Sequence, residues 1–254
     1  MSLPVLLRRL YDQPASAVGA SLVLVFLLLA LAGPLIAPYG SNEQIAGEAR
    51  QPPSRAHLFG TDNLGRDVFS RVALGARDIL ALAGLGTLLA VVLGTLLGLL
   101  SGYWGGWFDE VLMRFFDSLL SLPALLLALL MLGAVGPSRG SVLLVIVIVY
   151  IPIVARVVRS VVLPEILPSV LPALSVEAAL RFSYAIFLVA SLGFLGVGVQ
   201  PPNPDWGLMV REARSYVSQT PWALYFPAGA TAFVVVGGNL MADGLRRALL
   251  AGGI

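Results

Sequence analysis

There is no cysteine and no lysine in this chain, and histidine occurs once. Without cysteine there is no disulfide, no thiolate metal site and no cysteine nucleophile. Without lysine no G-x-x-x-x-G-K-[ST] phosphate loop can exist. One histidine, His57, cannot make a His-rich metal site; with no metal-binding pattern around it, it reads as a polar loop residue. Charge of either sign is scarce, at 12% of residues against about 25% in soluble domains. The basic residues are dispersed arginines and the formal net charge is only +2, which points away from a nucleic-acid partner. H-E-x-x-H and C-x-x-C are also missing, and the single G-x-S-x-G string, at residues 136–140, is a breaker between apolar runs rather than a nucleophile elbow. The chain is therefore not expected to be an enzyme or to hold a cofactor or metal. If it moves a solute actively, the energy comes from a gradient or from another protein.

What fills the chain instead is apolar. Hydrophobic residues make up 58% of it and the mean hydropathy is +0.90. Six runs carry no acidic or basic side chain: Ala15–Pro38, Ile79–Phe108, Ser118–Ser138, Gly140–Ala155, Phe182–Pro204 and Ser215–Ala242. At a rise of about 1.5 Å per residue, about 20 residues cross the hydrocarbon core. The third and fourth runs reach that length with their flanks. The expected fold class is an all-α integral membrane protein with six transmembrane helices, placed near 18–37, 79–101, 111–135, 141–162, 173–199 and 222–245. The first uncharged run exceeds the 7–15 residues of a signal-peptide core, so it reads as a retained helix. Two segments are expected: residues 1–78, a transmembrane helix plus an external polar stretch, and residues 79–254, a five-helix core.

Punctuation and charge add detail. Gly94, Gly98 and Gly102 recur every four residues, a spacing that lets helix backbones approach closely in lipid. Glycine tolerated there without a special partner fits equally well. Gly136-Pro137-Ser138-Arg139-Gly140 is a breaker, and Pro164, Pro168 and Pro172 interrupt the chain after the fourth helix. Asp62-Asn63-Leu64-Gly65-Arg66-Asp67 has a calcium-loop flavour, but its glycine comes too early and the closing glutamate is missing. A loop held by its own Asx and glycine turns is the better reading. Two charge pairs stand near expected helix ends: Arg114 with Asp117, and Glu177 with Arg181. Each could line a pathway or be a neutralised pair near the headgroups. Six helices put both termini on one side. Arg8, Arg9, Arg246, Arg247, Arg156 and Arg159 favour the cytoplasm for it, although the other loops hold arginines too.

Four blocks, in order along nearly the whole chain, resemble the permease C subunit of peptide and nickel ABC importers. They are His57-Leu58-Phe59-Gly60-Thr61-Asp62-Asn63-Leu64-Gly65-Arg66-Asp67; Gly102-Tyr103-Trp104-Gly105-Gly106-Trp107-Phe108-Asp109-Glu110 with Met113-Arg114 and Asp117; Ala190-Ser191-Leu192-Gly193-Phe194-Leu195-Gly196-Val197-Gly198 through Pro202, with Trp206-Gly207; and Asn239-Leu240 with Asp243-Gly244-Leu245-Arg246. The resemblance implies the type I importer permease fold in a bacterial or archaeal plasma membrane, with both termini cytoplasmic. It implies a homologous second permease, two cytoplasmic ATPase subunits and an external solute-binding protein as partners. Candidates for the pathway or gate are Arg114, Asp117, Glu177, Arg181, Gly193, Phe194 and Gly196.

The chain departs from that family at one junction. An E-A-A-x-x-x-G coupling loop that docks into the ATPase is expected between helices four and five. Here Leu163, Pro164, Glu165 and Pro168 stand in a connection, residues 163–172, shorter by on the order of two dozen residues, an ordinary helix–helix length. Glu177-Ala178-Ala179 lies after the proline segment, with Ser183 where the motif has glycine. Helix five also has Val189 where the family usually has glutamate, and Glu177 where glutamine is usual. The expected function is a permease subunit for di- or oligopeptides, uncoupled to the extent that this loop is needed. A gradient-driven carrier and a non-transporting degenerate relative stay open.

Overall fold

The structure is a computed structural model that describes residues 13–45, 47–162 and 170–250. Its order is α1 (Pro14–Ile36), α2 (Val68–Trp104), α3 (Gly106–Leu120), α4 (Ala124–Val135), α5 (Arg139–Val162), α6 (Val170–Leu195), α7 (Trp206–Ala213), a 3-10 turn and α8 (Pro221–Leu250). Among the described residues there is no β-strand, only an isolated bridge between Thr61 and Asp67. Five helices, α1, α2, α5, α6 and α8, are long and apolar enough to cross a membrane.

The third expected helix differs. It is split at Ser121–Pro123 into α3 and α4, which meet at 90°. Pro123 is the cause: it lacks an N–H, and it disfavours helical backbone at Leu122. The fold remains an all-α membrane bundle, with five crossings, or six where the bent pair counts as one span. α3 itself is two-sided. Trp107, Val111 and Phe115 expose an apolar edge, whereas Glu110, Arg114 and Asp117 expose a polar one.

α2 also exceeds expectation. Its 37 residues reach about 55 Å, well beyond a hydrocarbon core of about 30 Å. It starts eleven residues before Ile79, because Asp67 caps it, accepting from the Ser70 N–H at 2.7 Å. The charges at Arg71, Arg77 and Asp78 therefore lie on the first three turns of α2, ahead of its apolar run. Pro172 falls in the first turn of α6, where a missing N–H is harmless.

α2 packs along α5 through its small residues. A Cβ on Gly94 would lie 2.7 Å from the Val154 Cβ, and one on Gly98 would lie 2.5 Å from the Ala155 carbonyl. The close-approach reading of these two glycines is the one realised. α1 meets α8 in the same way, with Gly19 against the Gly237 carbonyl. The buried centre runs through Val72, Ala76, Ile79 and Ala83 of α2, Val142 and Ile146 of α5, and Ile186 and Val189 of α6. Leu24, Leu28, Leu31 and Leu35 of α1 point outward, the face a lipid-dissolved helix presents.

Candidate functional site

Three clusters of charge stand at three levels of the bundle. The first is a polar knot at the end where α1, α6 stop and α2, α8 start. Asp62 folds its own turn: Oδ1 accepts the N–H groups of Leu64 at 2.8 Å and Arg66 at 3.0 Å, and Gly65 takes φ +75°. Asp62 Oδ2 then accepts from Arg66 Nε at 2.7 Å and Arg71 Nη1 at 2.8 Å. Both arginines also reach Glu212 of α7, at 2.6 and 3.2 Å. Asn42 Nδ2 donates to the Pro202 carbonyl at 2.6 Å and Trp222 Nε1 donates to the Thr61 carbonyl at 2.8 Å. The two long polar stretches are thus one structure. Sequence reading finds the Asp62 turn; it misses the bonds to Glu212, because 146 residues separate Arg66 from it.

His57 is the polar loop residue expected, with partners that the sequence did not show. It is 3% exposed, with Nδ1 2.9 Å from Asp67 and Nε2 2.6 Å from Glu48. Tyr39 stacks on the ring. Burial opposes the charged form, yet hydrogen bonds to Asp67 and Glu48 and their negative charges outweigh it and raise the His57 pKa. Asp205, the N-cap of α7, goes the other way for a carboxylate: burial pushes it up to about 7, against the pull of the Leu208 and Gly207 N–H groups, with help from the charge of Asp78.

Gly193 and Gly196 serve that cap. A Cβ on Gly193 would overlap the Asp205 carboxylate, and one on Gly196, which sits at φ +83°, would overlap the Arg211 guanidinium. Both are needed for α7 to fold back on the end of α6, where the buried Trp206 donates to the Val72 carbonyl at 3.0 Å. Phe194 is different: it is exposed and borders an apolar groove with Phe187 and Val236.

The second cluster is at the opposite end. Arg114 and Asp117 do not pair. Arg114 lies 3.6 Å from Glu110, the acid-first spacing of four that a helix surface favours, while Asp117 is held by Arg156 of α5. Arg159 grips Asp109 with two bonds of 2.5 Å, and Ser101 donates to the same carboxylate. The amphipathic α3 is therefore clamped to the last turns of α5. Leu163, Pro164, Glu165 and Pro168 follow directly and lie outside the described residues.

The third cluster is one pair, Glu177 with Arg181. α6 begins at Val170, so Arg181 lies about 17 Å from its start and close to mid-helix. The expected pair itself forms: Arg181 Nε donates to Glu177 Oε1 at 2.6 Å. The guanidinium also lies over the rings of Tyr184 at 5.1 Å and Tyr150 at 5.7 Å. Beside it opens a cavity of about 460 Å³ beneath the α3–α4 bend, bordered by Leu119, Pro123 and Leu125 and by Ser191.

Residues 5–53 match the N-terminal transmembrane domain of oligopeptide transport permease C. Residues 94–166 match the binding-protein-dependent transport system inner membrane component. The chain is 36% identical, over 95% of its length and 87% of the relative's, to a dipeptide transport system permease protein of Alkalihalophilus pseudofirmus. This chain is an ABC importer permease of that family. It is also 37% identical to a probable D,D-dipeptide transport system permease protein of Escherichia coli, over 93% of this chain and 87% of the relative. A glutathione transport system permease protein of Pectobacterium atrosepticum is 34% identical over 95% and 88%. The permease is a multi-pass membrane component, and the charged clusters above are features of a transport subunit. The first alignment runs over 265 positions, more than the 254 residues present, so that relative carries residues this permease lacks.

Proposed function

We propose that the chain is one of two transmembrane subunits of an ATP-driven importer for di- and oligopeptides, forming the pathway with a homologous second permease. The observation that carries this is identity of 34–37% along almost the whole chain to permeases named for dipeptide, D,D-dipeptide and glutathione systems. Both termini face the cytoplasm in this reading, since the crossings are even in number and arginine flanks the two ends. The polar knot then faces outward, toward a solute-binding protein, and the clamp of α3 on α5 faces the ATPases. Glu177, Arg181 and Phe194 border the solute's route. Arg114 and Asp117, on the exposed edge of α3, belong to the gate at the inner end, and Gly193 and Gly196 fix the outer one.

The α5–α6 connection sets a condition on this role. A coupling helix converts nucleotide state into helix motion by making different contacts in the two states. The family match ends at residue 166, inside the connection that the sequence makes too short for that helix. With so short a connection, the permease is inferred to fold and to be uncoupled. Co-expressed with its ATPases, it should fail to retain them on purification, whereas a version with a family coupling loop inserted after Leu163 should retain them and take up dipeptide with ATP. Equal ATPase recovery from both would defeat the uncoupling claim. Uptake in ATP-depleted vesicles that follows a proton gradient would replace the importer by a gradient-driven carrier.

A further inference from the structure

Charge in the middle of a membrane helix is costly to insert and is found where it has work to do or a partner to neutralise it. Arg181 has a partner, but an incomplete one. A guanidinium carries five N–H groups in one plane. Glu177 takes the one at Nε. Tyr150 and Tyr184 cover the cation from ring faces, which use none of the five. Among the described residues no acceptor meets Nη1 or Nη2. The side chain is not sealed in protein either: Arg181 keeps 14% of its surface exposed and lines the cavity under the α3–α4 bend.

The cavity's other walls are mostly leucine and other apolar side chains, with Ser191 and the two tyrosines as the polar exceptions, so little water-like screening competes at the guanidinium. Its volume falls within the range of small-molecule sites. An apolar chamber with one planar cation at its wall, the Nη edge unoccupied, fits a carboxylate, which can take two parallel N–H bonds from arginine. The charge balance narrows the ligand further. Glu177 already neutralises Arg181, so a lone anion would leave the chamber negative, whereas a zwitterion adds no net charge.

We propose that this cavity is a carboxylate-binding site within the permease and that Arg181 holds the C-terminal carboxylate of a zwitterionic short peptide there. The assignment of the ligand rests on the peptide-importer reading above; the carboxylate chemistry does not. Glu177 is then a competitor for the guanidinium as well as its counter-ion. All of the lining comes from α3 to α6 of this chain, so the site is present without the second permease.

The test is equilibrium binding of radiolabelled dialanine to the full chain in lipid nanodiscs, with dialanine amide and benzoate as competitors. Dialanine should out-compete its amide by about tenfold or more, the scale of a charge-assisted bond. Arg181→Gln should abolish that ratio. A single variant that leaves Glu177 unpaired could fail to fold, so the double variant Glu177→Gln, Arg181→Gln, which leaves no lone charge, is the companion. If the two residues serve only to neutralise each other, the double variant keeps full preference for dialanine over its amide, and the proposal is overturned. If the site is real, the double variant folds, runs monodisperse and has lost the preference. Equal binding of dialanine and its amide to the unaltered chain also overturns it, leaving peptide transport itself untouched. Arg181-dependent binding of benzoate without dialanine would keep the carboxylate site and remove the peptide reading.

Discussion

At the scale of single residues, environment decides chemistry that residue type leaves open. Asp205 illustrates it. As the cap of α7 it is needed for its acceptor oxygen, not for its charge, and burial makes the charge a burden. Its folded pKa of about 7 lies above the ordinary 3.8, so the folded state binds the proton more tightly than the unfolded one. The sign follows: its contribution to stability is greatest below about pH 4 and is lost as pH rises toward about 7. Asparagine caps as well and does not titrate. The thermal midpoint of Asp205→Asn, measured against the unaltered permease in nanodiscs, should therefore gain across that window. A difference that stays flat with pH would mean that Asp205 is solvated when ionised. His57 makes the complementary point, because its two acids come from Glu48 and Asp67, positions that a single-residue reading of a loop histidine does not connect.

At the scale of elements, the contact of α2 with α5 depends on residues that are defined by what they lack. Gly98→Ala puts a methyl carbon 2.5 Å from the Ala155 carbonyl and 2.9 Å from the Val158 Cβ, and backbone cannot yield as a flexible side chain does. A loss of about 1–3 kcal/mol is expected, against which alanine's better helix propensity returns up to about 1 kcal/mol. Gly133→Ala in α4, with nothing within 4 Å of the new Cβ, should show only the propensity gain. Denaturant titration of both variants in the same detergent checks the contrast; equal effects would show that the α2–α5 approach has slack. The spacing of Gly94 and Gly98 is legible in sequence, but the partner helix is not, because a four-residue repeat names a face without naming what lies on it. The break between α3 and α4 was also missed despite a visible Pro123. Hydropathy runs straight across it, and prolines occur in membrane helices without turning them through a right angle.

At the scale of the whole molecule, the ladder of crossings sets which loops share a side. The absence of cysteine makes this directly measurable. Ala49→Cys, in the polar knot, should react with a membrane-impermeant maleimide applied to intact cells. Glu110→Cys, on the exposed face of α3, should react only after permeabilisation. The reverse pattern would invert the orientation proposed from the terminal arginines, and labelling of both in intact cells would break the six-crossing topology. Most of the polar end follows this scale as well. Arg66 and Arg71 meet Glu212 only because the crossings return residue 212 to the end that holds residue 66.

The division between sequence and structure follows from the range of the forces involved. Transfer into lipid sums over about twenty consecutive residues, so membrane class, the number of apolar runs and the missing catalytic and nucleotide-binding motifs are properties of the chain as a string. The pairing of Glu177 with Arg181 is equally local, four residues on one helix. Depth, partner and vacancy are not local. Whether that pair sits at a headgroup or mid-membrane depends on where α6 begins. Whether Arg181 lies against a second aromatic ring and beside a cavity depends on Tyr150 of another helix and on a bend at Pro123. The sequence alone determined a membrane chain with few charges, a resemblance to peptide and nickel importer permeases, and a short connection at residues 163–172. Only tertiary packing decided which of those charges are consumed in holding the bundle together and which one faces an open chamber.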